Sequence, residues 1–354
     1  MRYLHLARVP ALALALLLVA CEAEPSRGTA ADAEPSPTVT PAPDGPDGPA
    51  YGIAGLVPPH HPAPQEADYL AFFEALEGLG GWVGTYVAWT PEEGVPEAVR
   101  TQPEVGRRYG YRTLPIVGFH RDVAGGVALT VDFADPAQVD AYTDALVDLV
   151  QTLQPPFLGV GNEVNRIWED DPAGYEAWVR ALPGITDAVR AASPDTRVFV
   201  TFQYEFLRGA GAISGEAREP QWALLDGVRD ALDLIAFTTY PYFDFGTPDA
   251  IPADYYAEAA ARAGTPVAFT EVGWPSAPLA VATASPLGGT PEEQAAFIER
   301  LSLLLDGVEP AFVMWVWAYD SPATGPLFES LGLSTNDGTP KPALDAWRRF
   351  LGVR

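Results

Sequence analysis

At 354 residues, 48% of them hydrophobic and 19% charged, the chain has the composition of a globular protein and the length for one large core or two modest ones. Its 47 acidic residues against 21 basic ones leave a net charge of −26, and lysine is nearly absent. With no Lys/Arg cluster to neutralise phosphates, nucleic acid and anionic membrane faces are excluded as electrostatic partners, and a soluble monomeric body is expected.

Arg2 and Arg8 form a positive n-region, and Val9 to Ala20 is an apolar stretch of signal-peptide length. It falls short of the roughly 20 apolar residues of a transmembrane helix. It ends Leu18-Val19-Ala20-Cys21, which resembles the lipobox of bacterial lipoproteins. Cys21 is the only cysteine, so an intrachain disulfide is impossible, and it falls at the position the motif acylates. An ordinary signal peptide would leave that placement to chance. The resemblance implies a cleaved signal peptide over 1–20, a diacylated Cys21 and an exported protein held to the membrane of the cell envelope, facing outside the cytoplasm. Residues 21–50 are rich in Pro, Ala, Asp, Glu and Gly without apolar periodicity, and read as a disordered tether.

From Tyr51 short apolar runs alternate with amphipathic or Ala-rich stretches. The spacing predicts strands at Tyr51–Val57, Trp82–Ala88, Thr113–Phe119, Phe157–Gly161, Arg197–Phe202, Leu234–Thr239, Pro266–Thr270 and Ala311–Val316. Helices are predicted near 65–79, 95–109, 136–153, 172–192, 220–230, 252–263, 291–305 and 341–351. Asp135-Pro136 and Thr290-Pro291-Glu292-Glu293 supply start signals for two of them, with Glu293 placed for a capping box. Eight strand-then-helix units argue for a parallel sheet closed into a single-domain (β/α)8 TIM barrel over 51–354. No glycine-rich phosphate loop follows any strand, so no nucleotide cofactor is expected.

Barrel chemistry sits at the C-terminal strand ends. The fourth run ends Gly161-Asn162-Glu163-Val164-Asn165, and the seventh ends Thr270-Glu271-Val272-Gly273-Trp274-Pro275. One Glu at a strand end is ordinarily a solvated loop residue or a helix cap. Two of them, on strands four and seven, put carboxylates on opposite sides of one barrel mouth, as glycosidic hydrolysis requires.

These segments resemble clan A of the glycoside hydrolases, in which an Asn-Glu after strand four supplies the acid/base and a Glu after strand seven the nucleophile. Gly161-Asn162-Glu163-Val164 and Glu271-Val272-Gly273-Trp274-Pro275-Ser276 are similar to family 17 β-1,3-glucanase motifs. The run of Gly161 to Trp168 and the stretch Asp233 to Tyr242 are more like family 53 endo-β-1,4-galactanases. The resemblance implies a retaining mechanism, with Glu163 as acid/base, Glu271 as nucleophile and their carboxyls about 5 to 5.5 Å apart. It also implies that Asn162 donates to the substrate 2-OH. Tyr240 is a candidate to hold Glu271, or else an aromatic filling the barrel top. Many clan members carry an Arg near the end of strand two to support the nucleophile, but Trp82 to Trp89 contains none.

Flat aromatics bind sugar faces, so Trp89, Trp274 and Trp317 are candidate platforms. Trp315 and Trp317 alternate with Val316 and are expected on one face, with Trp315 in the core. His120 ends the third strand and is a candidate substrate contact or a loop residue; His60 and His61 follow the first. No His/Cys/Asp cluster has metal-ligand spacing, so no metal is expected. The leading expectation is a hydrolase of galactan- or β-glucan-like polysaccharide or oligosaccharide. The alternative is a surface glycan-binding lipoprotein that keeps the barrel without turnover. An aldolase or metal-dependent barrel enzyme lacks its strand-end Lys or metal cluster.

Overall fold

The computed structural model describes residues 49–124, 126–210, 218–279 and 289–353. Cys21, the signal-peptide stretch and nearly all of the 21–50 segment lie outside them.

Eight parallel strands close into a barrel in chain order. They are β1 (Ala50–Ile53), β2 (Trp82–Ala88), β3 (Arg112–Gly118), β4 (Phe157–Gly159), β5 (Arg197–Gln203), β6 (Leu234–Thr239), β7 (Val267–Val272) and β8 (Phe312–Trp315), with β8 pairing back onto β1. Helices α1 (Glu66–Ala75), α2 (Glu97–Tyr109), α3 (Pro136–Leu153), α4 (Val164–Asp170), α5 (Pro172–Ala192), α6 (Tyr255–Ala263), α7 (Pro291–Leu304) and α8 (Pro342–Phe350) occupy the connections. The caps read from sequence are present: Asp135 accepts from the Ala137 N–H, and Thr290 from the Glu293 N–H. Helix α2 stops at Gly110, whose φ of 73° is the left-handed turn that only glycine adopts without strain. The helix expected near 220–230 shrinks to two turns, Ala223–Asp226 and Arg229–Ala231.

Alternation along the strands makes two cores. Trp82, Leu114, Ile116, Phe157, Phe199, Leu234, Ala236, Ala268, Phe312 and Met314 fill the barrel interior. The intervening residues, such as Val83, Val117, Val200 and Phe237, join the larger layer under the helices. Each large apolar side chain so buried contributes about 1.5 to 3 kcal/mol, which is why the strands are near-continuous apolar runs.

Of the strand ends that depart from expectation, three shape the barrel mouth. β1 stops at Ile53, and Ala54 to Val57 leave the sheet. β7 runs through Glu271 to Val272. β8 stops at Trp315, and Trp317–Tyr319 starts a separate strand parallel to Gly332–Ser334. The two tryptophans therefore do not share a face. Trp315 packs on Trp347 and Phe297 in the helical layer, and Trp317 turns to the barrel mouth. Buried Lys341 braces that added strand pair, donating to Asp320 at 2.6 Å, Ser276 at 2.8 Å and the Gly332 carbonyl at 2.9 Å.

Candidate active site

The chain leaves β4 through Glu163, whose φ of 44° is left-handed, a strained conformation for a residue with a side chain. It is held there from both directions. Its N–H donates to Thr201 Oγ1 at 2.6 Å, and that hydroxyl donates to Asn162 Oδ1 at 2.8 Å. Asn165, in the first turn of α4, exchanges two hydrogen bonds with the backbone of Gln203, tying the helix to β5. The Glu163 carboxyl is sealed from solvent; Oε1 accepts from Thr238 Oγ1 at 2.7 Å and Oε2 from Arg166 Nη1 at 3.0 Å. The other arm of Arg166 donates to Asp122, carried on a hairpin of His120–Val123 and Gly126–Leu129.

Glu271 reaches the mouth because β7 carries a bulge. Phe269 pairs with Phe237, but the next pair is Glu271 with Thr238, so Thr270 is an extra residue. The register to β8 slips over the same stretch. Phe269 belongs to the outer layer and Ala268 to the interior. By simple alternation Glu271 would face outward with Phe269; the bulge gives it the inward side of Thr238 instead. Tyr240, at the end of β6, donates its hydroxyl to Glu271 Oε2. Support for Glu271 thus comes from a phenol on β6, while the arginine of the site serves Glu163.

Thr238 therefore stands one strand spacing, about 4.8 Å, from Glu271 and within hydrogen-bond distance of Glu163. Burial first, and then the charge of Glu163, pushes the Glu271 carboxyl up to about 8, against the pull of Tyr240 and Arg166. His120 is buried, its Nδ1 has no hydrogen-bond partner among the described residues, and burial followed by the Arg166 charge drives it down to about 3. It is a neutral imidazole rather than a solvated loop residue.

A cavity of about 120 Å³ opens beside this pair. Asn162, Tyr240, Glu271 and Trp317 all line it, as does His61, whose ring is fixed by Ser321 at 2.6 Å. With Oδ1 of Asn162 engaged by Thr201, its NH2 is the end free for a ligand. Exposed His60 turns away to Asp68. Trp89 and Trp274 do not line the cavity. Trp89 is buried against Tyr142, and Trp274 lies between Phe297 and Tyr242, because both indoles point into the layer under the helices. Sequence reasoning missed Arg166, Asp122, Thr201 and Thr238. It also missed Glu205, a fully buried carboxylate that accepts from Gln203, Thr239 and Tyr255 beside the C-terminal ends of β5 and β6. Among the described residues no group of three His, Cys, Asp or Glu side chains is placed to hold a metal.

No protein-family model and no curated protein matches the chain. Solved structures do. GH5_18 from Streptomyces cattleya in complex with GlcNAc is similar over 86% of this chain and 80% of its own, at 19% identity and a TM-score of 0.63. The glycoside hydrolase family 17 beta-1,3-glucanosyltransferase from Rhizomucor miehei is similar over 83% and 96%, at 17% identity and 0.56. An exo-beta-1,4-mannosidase from Opitutaceae bacterium strain TAV5 is similar over 80% and 55%, at 17% identity and 0.57. At such identities the likeness is one of fold: these solved structures share the architecture of this chain.

Proposed function

We propose that the chain is a retaining glycoside hydrolase acting on β-linked polysaccharide of galactan or β-glucan type, with Glu163 as acid/base and Glu271 as nucleophile. The observation that carries this reading is the β7 bulge, which turns Glu271 to the side of the strand neighbour whose hydroxyl holds Glu163. In the first half-reaction Glu271 attacks the anomeric carbon, and the Glu163 proton passes to the leaving oxygen. In the second Glu163 takes a proton from water, which displaces Glu271. Burial and the neighbouring Glu163 raise the proton affinity of the Glu271 carboxyl. The positive charge that develops at the anomeric carbon beside Glu271 favours its ionised form, the one that attacks. Asn162 and Trp317 both line the cavity, which supports Asn162 as the donor to the 2-OH and Trp317 as the platform for a sugar face.

The reading is tested by hydrolysis of galactan, β-1,3-glucan and β-1,4-linked substrates by the wild type, Glu163→Ala and Glu271→Ala, with anomeric configuration followed by proton NMR. Turnover surviving both substitutions, or inversion of configuration, excludes it. We further propose that residues 1–20 are removed, that 21–50 tether the domain and that Cys21 is lipid-anchored outside the cytoplasm. Cys21→Ser then moves the protein from the membrane fraction to the soluble one.

A further inference from the structure

Helix α4 grips the hairpin that follows β3 at two points. Arg166 holds Asp122 on the first strand of the hairpin. Asp170, at the other end of the helix, accepts from the Val127 N–H of the second strand at 2.8 Å. Gly126 lies so close that a β-carbon there would stand 2.3 Å from Asp170 Oδ2. The base of the hairpin is tied separately. Tyr86 donates to the His120 carbonyl at 3.2 Å, and the Thr130 N–H donates to the Phe119 carbonyl at 2.8 Å. The hairpin therefore keeps its place without the Asp122 contact, and what that contact adds is a charge.

The charge is delivered to a nearly sealed cluster. Side-chain exposure is 14% for Asp122, 12% for Arg166 and 1% for Glu163. Buried charges cost least when they sum to zero. Arg166 and Glu163 by themselves reach zero only when Glu163 is ionised, and an ionised carboxylate cannot protonate a leaving group. With Asp122 ionised, the sum is zero when Glu163 carries a proton. The surrounding groups leave this count unchanged. Burial keeps Tyr86 on β2, Tyr240 on β6 and the His120 ring neutral. Arg121 on the hairpin and Asp170 on α4 are exposed. Glu271 on β7 obeys the same arithmetic, since the Arg166 charge lowers its hold on a proton.

We propose that Asp122 is a positioning residue for the acid step: as counter-charge to Arg166, it lets Glu163 hold the proton that the leaving oxygen takes. This rests on Glu163 being the acid of the hydrolytic pair.

Two measurements on the full chain test it. The first is the pH dependence of kcat/KM. Asp122→Asn keeps an oxygen for Arg166 and removes only the charge. Both limbs of its profile are expected to move down by about one pH unit, which on the basic side is about a tenfold loss of rate. Arg166→Gln moves both limbs up. Removing both charges restores the wild-type sum, so the double variant is expected to bring the limbs most of the way back. A residue that acts by packing alone lowers the rate at every pH, leaves the limbs in place and gives losses that add in the double variant; that result overturns the proposal. The second measurement needs no turnover. The chain is isotope-labelled at the glutamate carboxyl carbons and titrated by NMR, with signals assigned from Glu163→Gln and Glu271→Gln. In Asp122→Asn the two carboxyls are expected to lose their protons at lower pH than in the wild type, and in Arg166→Gln at higher. Titrations indifferent to Asp122 overturn the proposal. Should Asp122→Asn not fold, the double variant strands no buried charge and carries the same comparison against Arg166→Gln. Carboxyls that shift as expected in a chain that hydrolyses no glycoside keep the charge balance, and overturn the acid role through the reading it rests on.

Discussion

Nη1 of Arg166 donates to Oε2 of Glu163 at 3.0 Å from one turn along the helix that Glu163 begins, with side-chain exposures of 12% and 1%. Its second arm is held by Asp122. Removing one member of a buried ion pair strands the other, at a cost of about 3 to 5 kcal/mol. Arg166→Gln is therefore expected to lower unfolding stability by about that amount in urea titrations. The cation also pulls the Glu271 carboxyl down. Without it Glu271 holds its proton to higher pH, so the acidic limb of the pH–rate profile should move upward. A profile that moves downward contradicts this arrangement.

Among the described residues Tyr240 supplies the one hydroxyl bonded to Glu271, and it is itself fully buried, packed on Phe243 and Phe328. Tyr240→Phe keeps that packing and removes only the donor. Losing a hydrogen bond to a charged group costs about 1.5 to 3 kcal/mol, so kcat is expected to fall by about ten- to a hundredfold. Steady-state kinetics on the best substrate measure the loss. Because the phenol lowers the Glu271 carboxyl's hold on its proton, the acidic limb should again move up. An unchanged kcat would mean that the phenol only fills the barrel top.

Burial raises Glu271 to about 8 from an ordinary 4.5. A group that binds its proton more tightly when folded contributes stability fully present below the unfolded value and lost as pH rises through the folded one. Between about pH 5 and 8 this single group is expected to cost up to about 1.4 kcal/mol per pH unit. Glu271→Gln carries no such proton. Melting temperatures across that range should therefore fall more steeply for the wild type than for Glu271→Gln, with the variant the more stable at pH 8. Parallel curves would mean that the carboxyl is not held up by burial.

The barrel was legible because interior strands need unbroken apolar runs, and Trp82 to Ala88 or Leu234 to Thr239 read as strands on that ground alone. Composition could not show where a strand stops. Leu56 and Val57 extend an apolar run, yet they wall a cavity instead of pairing. Nor does alternation betray an extra residue: Thr270 looks like any inward position until Phe269 and Glu271 are found on successive pairs. Indoles carry no mark of their surroundings, so Trp89 and Trp274 read like Trp317 although they pack under the helices. Arg166 was within reach of sequence, three residues beyond Glu163 where a helix brings side chains together. Asp122 was not, since its contact with Arg166 spans 44 residues and depends on the hairpin.

Thr238 makes the most sensitive test of how the two carboxylates are joined. Its hydroxyl donates to Glu163 at 2.7 Å while its backbone sets the register of Glu271. Thr238→Val is nearly isosteric and leaves the strand pairing untouched, so any effect belongs to the hydroxyl. Glu163 then keeps Arg166 and loses the Thr238 donor. A buried acceptor so deprived costs about 1 to 3 kcal/mol, and kcat is expected to drop about tenfold or more. Thr238→Ser restores the donor without the methyl and should recover most of the rate. If valine and serine behave alike, packing at this position matters and the hydroxyl does not. A rate lost with valine and recovered with serine places Glu163 under the control of β6, the strand that also presents Tyr240 to Glu271.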